Sequence, residues 1–169
     1  KHIIDQLFTE GFLYLSFSGG EPLFNPCFFK IYQYAKSKGF IITVLTNAAL
    51  IDETAARFLA RQRPFYLDVT FNAVSADLFD KICAVNGAYK KVYAALNRLK
   101  KYRIPFKLKT KLITLNTAQT SKISALAVRL GAPCAFNDLI HSCLDGDRAP
   151  LAYSLRPKAR AFANGKNTF

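Results

Sequence analysis

Five stretches with a strand pattern alternate with stretches of helical pattern, and this alternation restricts the fold more than any other feature of the chain. Strands are predicted over residues 12–17, 40–45, 66–71, 106–113 and 133–136, and helices over 2–8, 27–38, 52–61, 75–82, 89–102 and 117–130. Asp52 and Ser75 are placed to cap helix starts, Pro26 suits a first helical position, and Gly11, Gly39 and Gly131 stop the helices before them. Helical crossovers with linkers of a few residues require parallel neighbours, so the chain is predicted to be an α/β protein with a parallel sheet, open or curled towards a barrel. The pattern stops between Asn137 and Leu155, where Asp145-Gly146-Asp147 marks a loop, and the basic segment from Arg156 to Phe169 is predicted as a fraying helix.

Successive side chains on a strand point to opposite faces, so the strands can be divided into a greasy side and a wet one. Leu67, Val69 and Phe71 oppose Asp68, Thr70 and Asn72, and Phe106, Leu108 and Leu112 oppose Lys107, Lys109 and Lys111. Leu13, Leu15 and Phe17 oppose Ser16 and Ser18, while Ile42 and Val44 oppose Thr43 and Asn47. Helices must cover the apolar face, which leaves the polar set to line the other. Burying an Asp or Lys is costly without a partner, so Asp68 is expected to meet Lys109, Lys111 or a ligand.

Ligands of α/β sheets sit at the carboxyl ends of the strands. Those ends carry Ser18-Gly19-Gly20-Glu21-Pro22, Thr46-Asn47, Thr70 to Asn72, and Lys111. In the first group two glycines open backbone conformations closed to other residues and let a ligand approach the main chain, and Pro22 fixes φ beside Glu21. Together the groups offer a carboxylate for an amine, hydroxyls and an amide for a sugar or an amino-acid backbone, and a cation for a carboxylate. An amino-acid-bearing nucleoside would use all of them.

Composition narrows the class. With 169 residues and 51% apolar side chains the chain can bury a core, and its apolar runs stop well short of the ~20 residues that span a bilayer. No signal-peptide pattern opens it, so a soluble cytoplasmic protein is expected. The net charge is +13, and the acid-free stretch from Lys81 to Asn137 holds half of the 24 basic residues, an imbalance that favours anionic partners without dictating a fold. Cys27, Cys83, Cys134 and Cys143 contain no C-x₂-C or C-x₃-C pair, so no metal site is assigned and the thiols are read as ordinary core or surface residues. Neither G-x-G-x-x-G nor G-x₄-G-K-[ST] occurs, which weakens a general nucleotide-binding reading.

The strand-end groups, in this order, resemble the radical S-adenosylmethionine (SAM) enzymes, particularly the branch with a C-terminal SPASM or twitch extension. The resemblance rests on Ser18-Gly19-Gly20-Glu21-Pro22, Thr46-Asn47-Ala48 and Asp68-Val69-Thr70-Phe71. The helix from Ser75 to Ile82, the turn Val85-Asn86-Gly87-Ala88-Tyr89 and the loop Leu144-Asp145-Gly146-Asp147-Arg148 extend it over about residues 1–157. It implies a partial (β/α)₆ TIM-like barrel that binds SAM beside a [4Fe–4S] cluster, whose reduction yields a 5′-deoxyadenosyl radical that abstracts a substrate hydrogen. The substrate implied is a peptide or protein. Gly19, Gly20 and Glu21 would hold the methionyl amine, with Ser18, Pro22, Thr46, Asn47, Thr70, Asn72, Lys109 and Lys111 completing the SAM-binding set.

The departures are equally specific. The family binds its cluster through C-x₃-C-x₂-C after its first barrel strand, and that triplet is absent here. The strand over 12–17 then corresponds to the family's second, and a fragment lacking the first strand is expected: residues 1–137 a partial core, 138–169 a loop and the truncated start of a C-terminal extension. Such a chain is expected to be inactive alone, and its exposed first strand predicts marginal stability or self-association. Ala73 stands where the family usually has glycine. The competing reading is a non-catalytic basic module that binds RNA or another polyanion, with Tyr89, Tyr93, Tyr102 and Phe106 interleaved among the cations.

Overall fold

A computed structural model describes residues 1–155, so the helix expected from Arg156 onward lies outside the described residues. The strands form where the alternation places them: β1 (Tyr14–Phe17), β2 (Ile41–Thr46), β3 (Tyr66–Thr70), β4 (Phe106–Lys111) and β5 (Cys134–Asn137). They follow the sheet order β1-β2-β3-β4-β5, and the β1–β2, β2–β3 and β4–β5 pairs are parallel. Helices α1 (His2–Thr9), α2 (Phe28–Ser37), α3 (Glu53–Arg61), α4 (Ala76–Cys83), α5 (Ala88–Lys101) and α6 (Thr120–Leu130) fall between and before them. The parallel α/β class expected from the helical crossovers is therefore the observed one. Among the described residues no helix is long and apolar enough to cross a membrane.

Contacts group the chain into two compact units, Lys1–Val69 with Lys91–Phe106, and Thr70–Lys90 with the described part of Lys107–Phe169. In the first, Ile42 and Val44 of β2 and Leu67 and Val69 of β3 are fully buried, together with Leu59 of α3 and Ala95, Leu96 and Leu99 of α5. An aromatic cluster closes one side: Phe17 meets Phe28 and Tyr32 of α2, and Phe58 of α3 meets Phe29 and Tyr32. The Tyr32 hydroxyl donates to the Gln62 carbonyl at 2.7 Å, and burial raises its pKa above the ordinary phenol value. Asp52 caps α3 by accepting from the Ala55 N–H at 2.8 Å, as its position predicts. The edge at β1 is greasy and exposed, with Phe12 at 55%, Leu13 at 66% and Tyr14 at 67% exposure.

In the second unit Leu108 and Leu112 are buried, as are Ile123, Leu126 and Ala127 of α6, and the Phe71 ring meets those of Phe79 and Tyr89 at a tilt. Asp80 holds the turn into α5, accepting from the amides of Gly87 at 2.6 Å and Tyr89 at 2.8 Å; Gly87 sits at φ +76, where a side chain would be strained.

Several bounds shift by one or two residues, β1 starting at Tyr14 rather than 12, and three differences have a visible cause. Helix α2 starts at Phe28 rather than 27, because Asn25 Oδ1 accepts from the Cys27 N–H at 2.8 Å and makes Asn25-Pro26 a turn instead of a first helical turn. Strand β4 ends at Lys111, because the Ile113 N–H donates to Asn116 Oδ1 at 2.9 Å and leaves the strand direction. The segment Thr117–Gln119 is a 3₁₀ turn that precedes α6.

Candidate functional site

At the exit of β1 the chain turns through Ser18, Gly19 and Gly20, with Gly19 at φ +131, before Glu21 caps the 3₁₀ turn Pro22–Phe24. A side chain at Gly19 would be strained, and a Cβ at Gly20 would meet open space within 4 Å, so the main chain here is bare to an approaching group. The Glu21 carboxylate is the knot of this region. Its Oε1 accepts from the Thr46 hydroxyl at 2.7 Å and the Leu23 N–H at 3.2 Å, and its Oε2 accepts from the Asn47 N–H at 2.7 Å. Bonds to an ionised acceptor are about twice as strong as neutral ones, so one side chain fixes the exits of β1 and β2 together.

The end of β2 is strained as well as tied. Ala48 adopts φ +61 while fully buried, and its N–H donates to Thr46 Oγ1 at 2.9 Å. A non-glycine residue there costs on the order of 1–3 kcal/mol, and such positions cluster at sites with a job beyond packing. A cavity of ≈ 220 Å³ adjoins the turn, with Phe17, Phe28 and Ile31 forming an apolar wall and Ser18, Gly20, Glu21 and Asn25 a polar one.

The second unit brings a different set together. Asn72 Oδ1 accepts from the Lys111 N–H at 3.0 Å, and the Lys111 ammonium donates to Asn137 Oδ1 at 3.1 Å and to the Leu139 carbonyl at 2.6 Å. Thr70 and Lys109 are exposed, and Asp68 is buried at 8% exposure. So Ser18 to Pro22, Thr46 and Asn47 gather in one unit, and Asn72 and Lys111 in the other.

Three residues that sequence reading passed over do much of the holding in the second unit. Asn116 is fully buried, and its amide nitrogen donates to the carbonyls of Asn72 at 2.9 Å and Lys111 at 2.8 Å. Gln119 Oε1 accepts from the Val74 N–H at 2.7 Å. Thr110, also fully buried, donates to the Phe71 carbonyl at 2.7 Å. The Ala73 methyl is buried and its φ is not positive, so the turn after β3 forms without glycine.

The cysteines do not converge. Cys27, Cys83 and Cys143 are exposed and Cys134 is buried, and among the described residues no group of three His, Cys, Asp or Glu side chains could hold a metal ion. Burial pushes the Cys134 thiol up to about 11, and burial followed by the charge of Asp80 raises that of Cys83, which makes both poor thiolates. Within the basic stretch, Arg98 and Lys101 pair with Glu53, and Arg98 also donates to the Ile51 carbonyl at 3.2 Å.

Residues 1–119 match a protein-family model described as Radical SAM superfamily. The chain is 30% identical over 132 residues to the AdoMet-dependent heme synthase of Methanosarcina barkeri, an overlap of 78% of this chain and 38% of that protein. It is 27% identical over 130 residues to the PqqA peptide cyclase of Gluconobacter oxydans, covering 77% of this chain and 36% of the relative. The chain thus spans little more than a third of the length of these curated relatives. Its fold is similar to the solved structure of anSMEcpe with bound AdoMet and a peptide, with a TM-score of 0.74 at 18% identity over 98% of this chain and 52% of that one.

Proposed function

The chain belongs to the radical SAM superfamily, and from that premise we propose that it is the SAM-binding core of an enzyme that modifies a peptide or protein. The observation that carries this reading is the Glu21 knot, a carboxylate anchored by Thr46 and Asn47 beside a bare, glycine-built stretch of main chain. An alkylammonium has three N–H donors and needs acceptors from several directions. A carboxylate that already accepts three bonds keeps about one lone-pair position for a ligand, and the carbonyl oxygens of the Ser18 to Gly20 turn supply the others. The acceptor set therefore fits the methionyl amine of SAM, with the Glu21 charge opposing that of the ammonium.

In this family SAM on a reduced [4Fe–4S] cluster supplies a carbon-centred radical. The four cysteines of this chain do not fit such a cluster, so its ligation is not assigned to them, and the chain by itself is expected to bind SAM without turning it over. The peptide or protein substrate is supported by the similarity to a peptide cyclase and to a fold solved with bound peptide. Free thiols on Cys27, Cys83 and Cys143 accord with a cytoplasmic setting. The segment from Asp138 onward is proposed as the start of a further module.

The test is calorimetric titration of the chain with SAM. Saturable binding is expected, lost in Glu21→Ala and largely kept in Lys90→Ala. Salt-sensitive RNA binding that ignores Glu21→Ala, without any SAM binding, would overturn the reading in favour of a polyanion module.

A further inference from the structure

The second unit contains an unassigned cleft of ≈ 460 Å³, within the range of about 300–1,000 Å³ typical of sites for small ligands. Its walls are mostly aliphatic, with Ile82 from α4, Ile113 and Leu115 from the segment after β4, and Leu139 and Ile140 from the segment after β5, and His141, Pro150 and Tyr153 complete them. The charged side chains that line it, Lys81 and Lys111, are both basic. Both oxygens of Asp80 on α4 accept backbone N–H groups in the turn into α5, and neither lysine is ion-paired with a carboxylate among the described residues. Lys111 is held in place by Asn137 and the Leu139 carbonyl, which engage two of its three N–H donors and leave a third for a ligand.

We propose that this cleft binds a peptide through an apolar side chain with an adjacent acidic residue, the apolar group entering among the isoleucines and the carboxylate meeting Lys81 and Lys111. The proposal deepens the reading above and takes its peptide partner from it. Three features select this occupant. A mostly aliphatic wall rewards a buried hydrocarbon group more than a phosphate chain, which needs many donors. Two lysines in no ion pair with a carboxylate among the described residues favour an anion over a sulfonium. The exposure of Leu139 at 54% and Tyr153 at 47% keeps the mouth open, so a side chain can enter while its backbone stays outside. The 3₁₀ helix Ala149–Tyr153 is tied to the β4 exit through the Thr114 N–H and the Tyr153 carbonyl at 3.0 Å, so the mouth has a defined wall.

The experiment is a titration of the ¹⁵N-labelled full chain, followed by amide chemical shifts, with the blocked peptide acetyl-Gly-Leu-Glu-Gly-amide. Counterparts carry Gln for Glu or Ser for Leu, and SAM is titrated separately. Saturable shifts are expected at Ile82, Ile113 and Ile140. The Gln peptide should bind roughly threefold more weakly at low salt, with the difference fading at high salt, as for an exposed charge pair. The Ser peptide should bind roughly tenfold more weakly or worse, from the lost burial of the leucine side chain. Leu139→Glu, at an exposed position that the fold does not need, should abolish the response, and Lys81→Gln should remove part of the preference for Glu.

Equal binding of the Glu and Gln peptides, shifts centred elsewhere, or displacement of the peptide by a uridine oligonucleotide would each overturn the proposal. SAM shifts at Gly20, Glu21 and Asn47 report separately on the proposed function. A peptide response without a SAM response supports the cleft while sinking the SAM reading, and a SAM response without a peptide response does the reverse.

Discussion

At the exits of β1 and β2 the backbone is gathered by an ionised carboxylate, whereas at the exits of β3 and β4 it is gathered by neutral amides. Glu21 accepts from one hydroxyl and two backbone N–H groups and stays half-exposed, so the group that organises its turn can still meet a ligand. Asn116 is fully buried and accounts for one backbone N–H and two carbonyls, with no surface left for anything else. The first arrangement combines positioning with chemistry, and the second only positions. Stability should therefore depend more on the amide and ligand binding more on the carboxylate.

The largest effect should come from Asn116→Ala. It leaves the part-buried carbonyls of Asn72 and Lys111 and the Ile113 N–H without their partner, and at about 1–3 kcal/mol per orphaned group, partly relieved by water, a loss near 3 kcal/mol is expected. Urea unfolding would show this as a lower midpoint at unchanged slope. A loss under about 1 kcal/mol would break the comparison, since it would mean that solvent replaces the amide cheaply. Glu21→Gln should cost less in stability, about 1–2 kcal/mol, because the amide oxygen can still serve Thr46 and Leu23 while its NH₂ faces the Asn47 N–H. The same substitution should weaken SAM binding far more than Asn116→Ala does. If the two variants lost SAM affinity equally, the proposed division of labour would fail.

The two regions also differ in how far the sequence reveals them. Period-2 alternation at Leu67, Val69 and Phe71 and at Phe106, Leu108 and Leu112 locates the buried strand faces, because the pleat imposes it whatever the neighbours are. The Glu21 turn is legible because glycine and proline are local punctuation, so the conformation they allow is written beside the carboxylate they position. Asn116 is not. A lone Asn ahead of Thr117 reads as turn-forming polarity, and its partners at Asn72 and Lys111 become neighbours only once β3 and β4 are paired. The start of α2 was misread for a related reason: Pro26 is compatible with both a first helical turn and an Asx turn, and the Cys27 N–H bond to Asn25 decides between them. Lys111 was legible as a strand-end cation, but its hold on Asn137 and the Leu139 carbonyl depends on β5, a strand of four residues.

A second carboxylate sharpens the contrast from the weak end. Glu53 on α3 lies near Arg57, Arg98 and Lys101 and accepts from the Tyr102 hydroxyl, yet its side chain is 41% exposed. The Tyr102 hydrogen bond first and the Lys101 bond second lower its pKa from 4.5 to about 2, against a smaller opposing effect of burial. Because the folded value lies below the unfolded one, this contribution is fully present above about pH 4.5 and disappears as the pH falls towards 2. Glu53→Gln should therefore be less stable than the parent chain at neutral pH, with a difference smaller than for either other variant because solvent and salt screen the cluster. That difference should shrink through the acid window and vanish below it in urea titrations run at stepped pH. Asn116→Ala serves as the control, since its amide does not titrate and its deficit should cross the same window unchanged. A Glu53→Gln deficit that is flat with pH, or an Asn116→Ala deficit that follows the acid limb, would show that charge and buried amide are not acting separately in this fold.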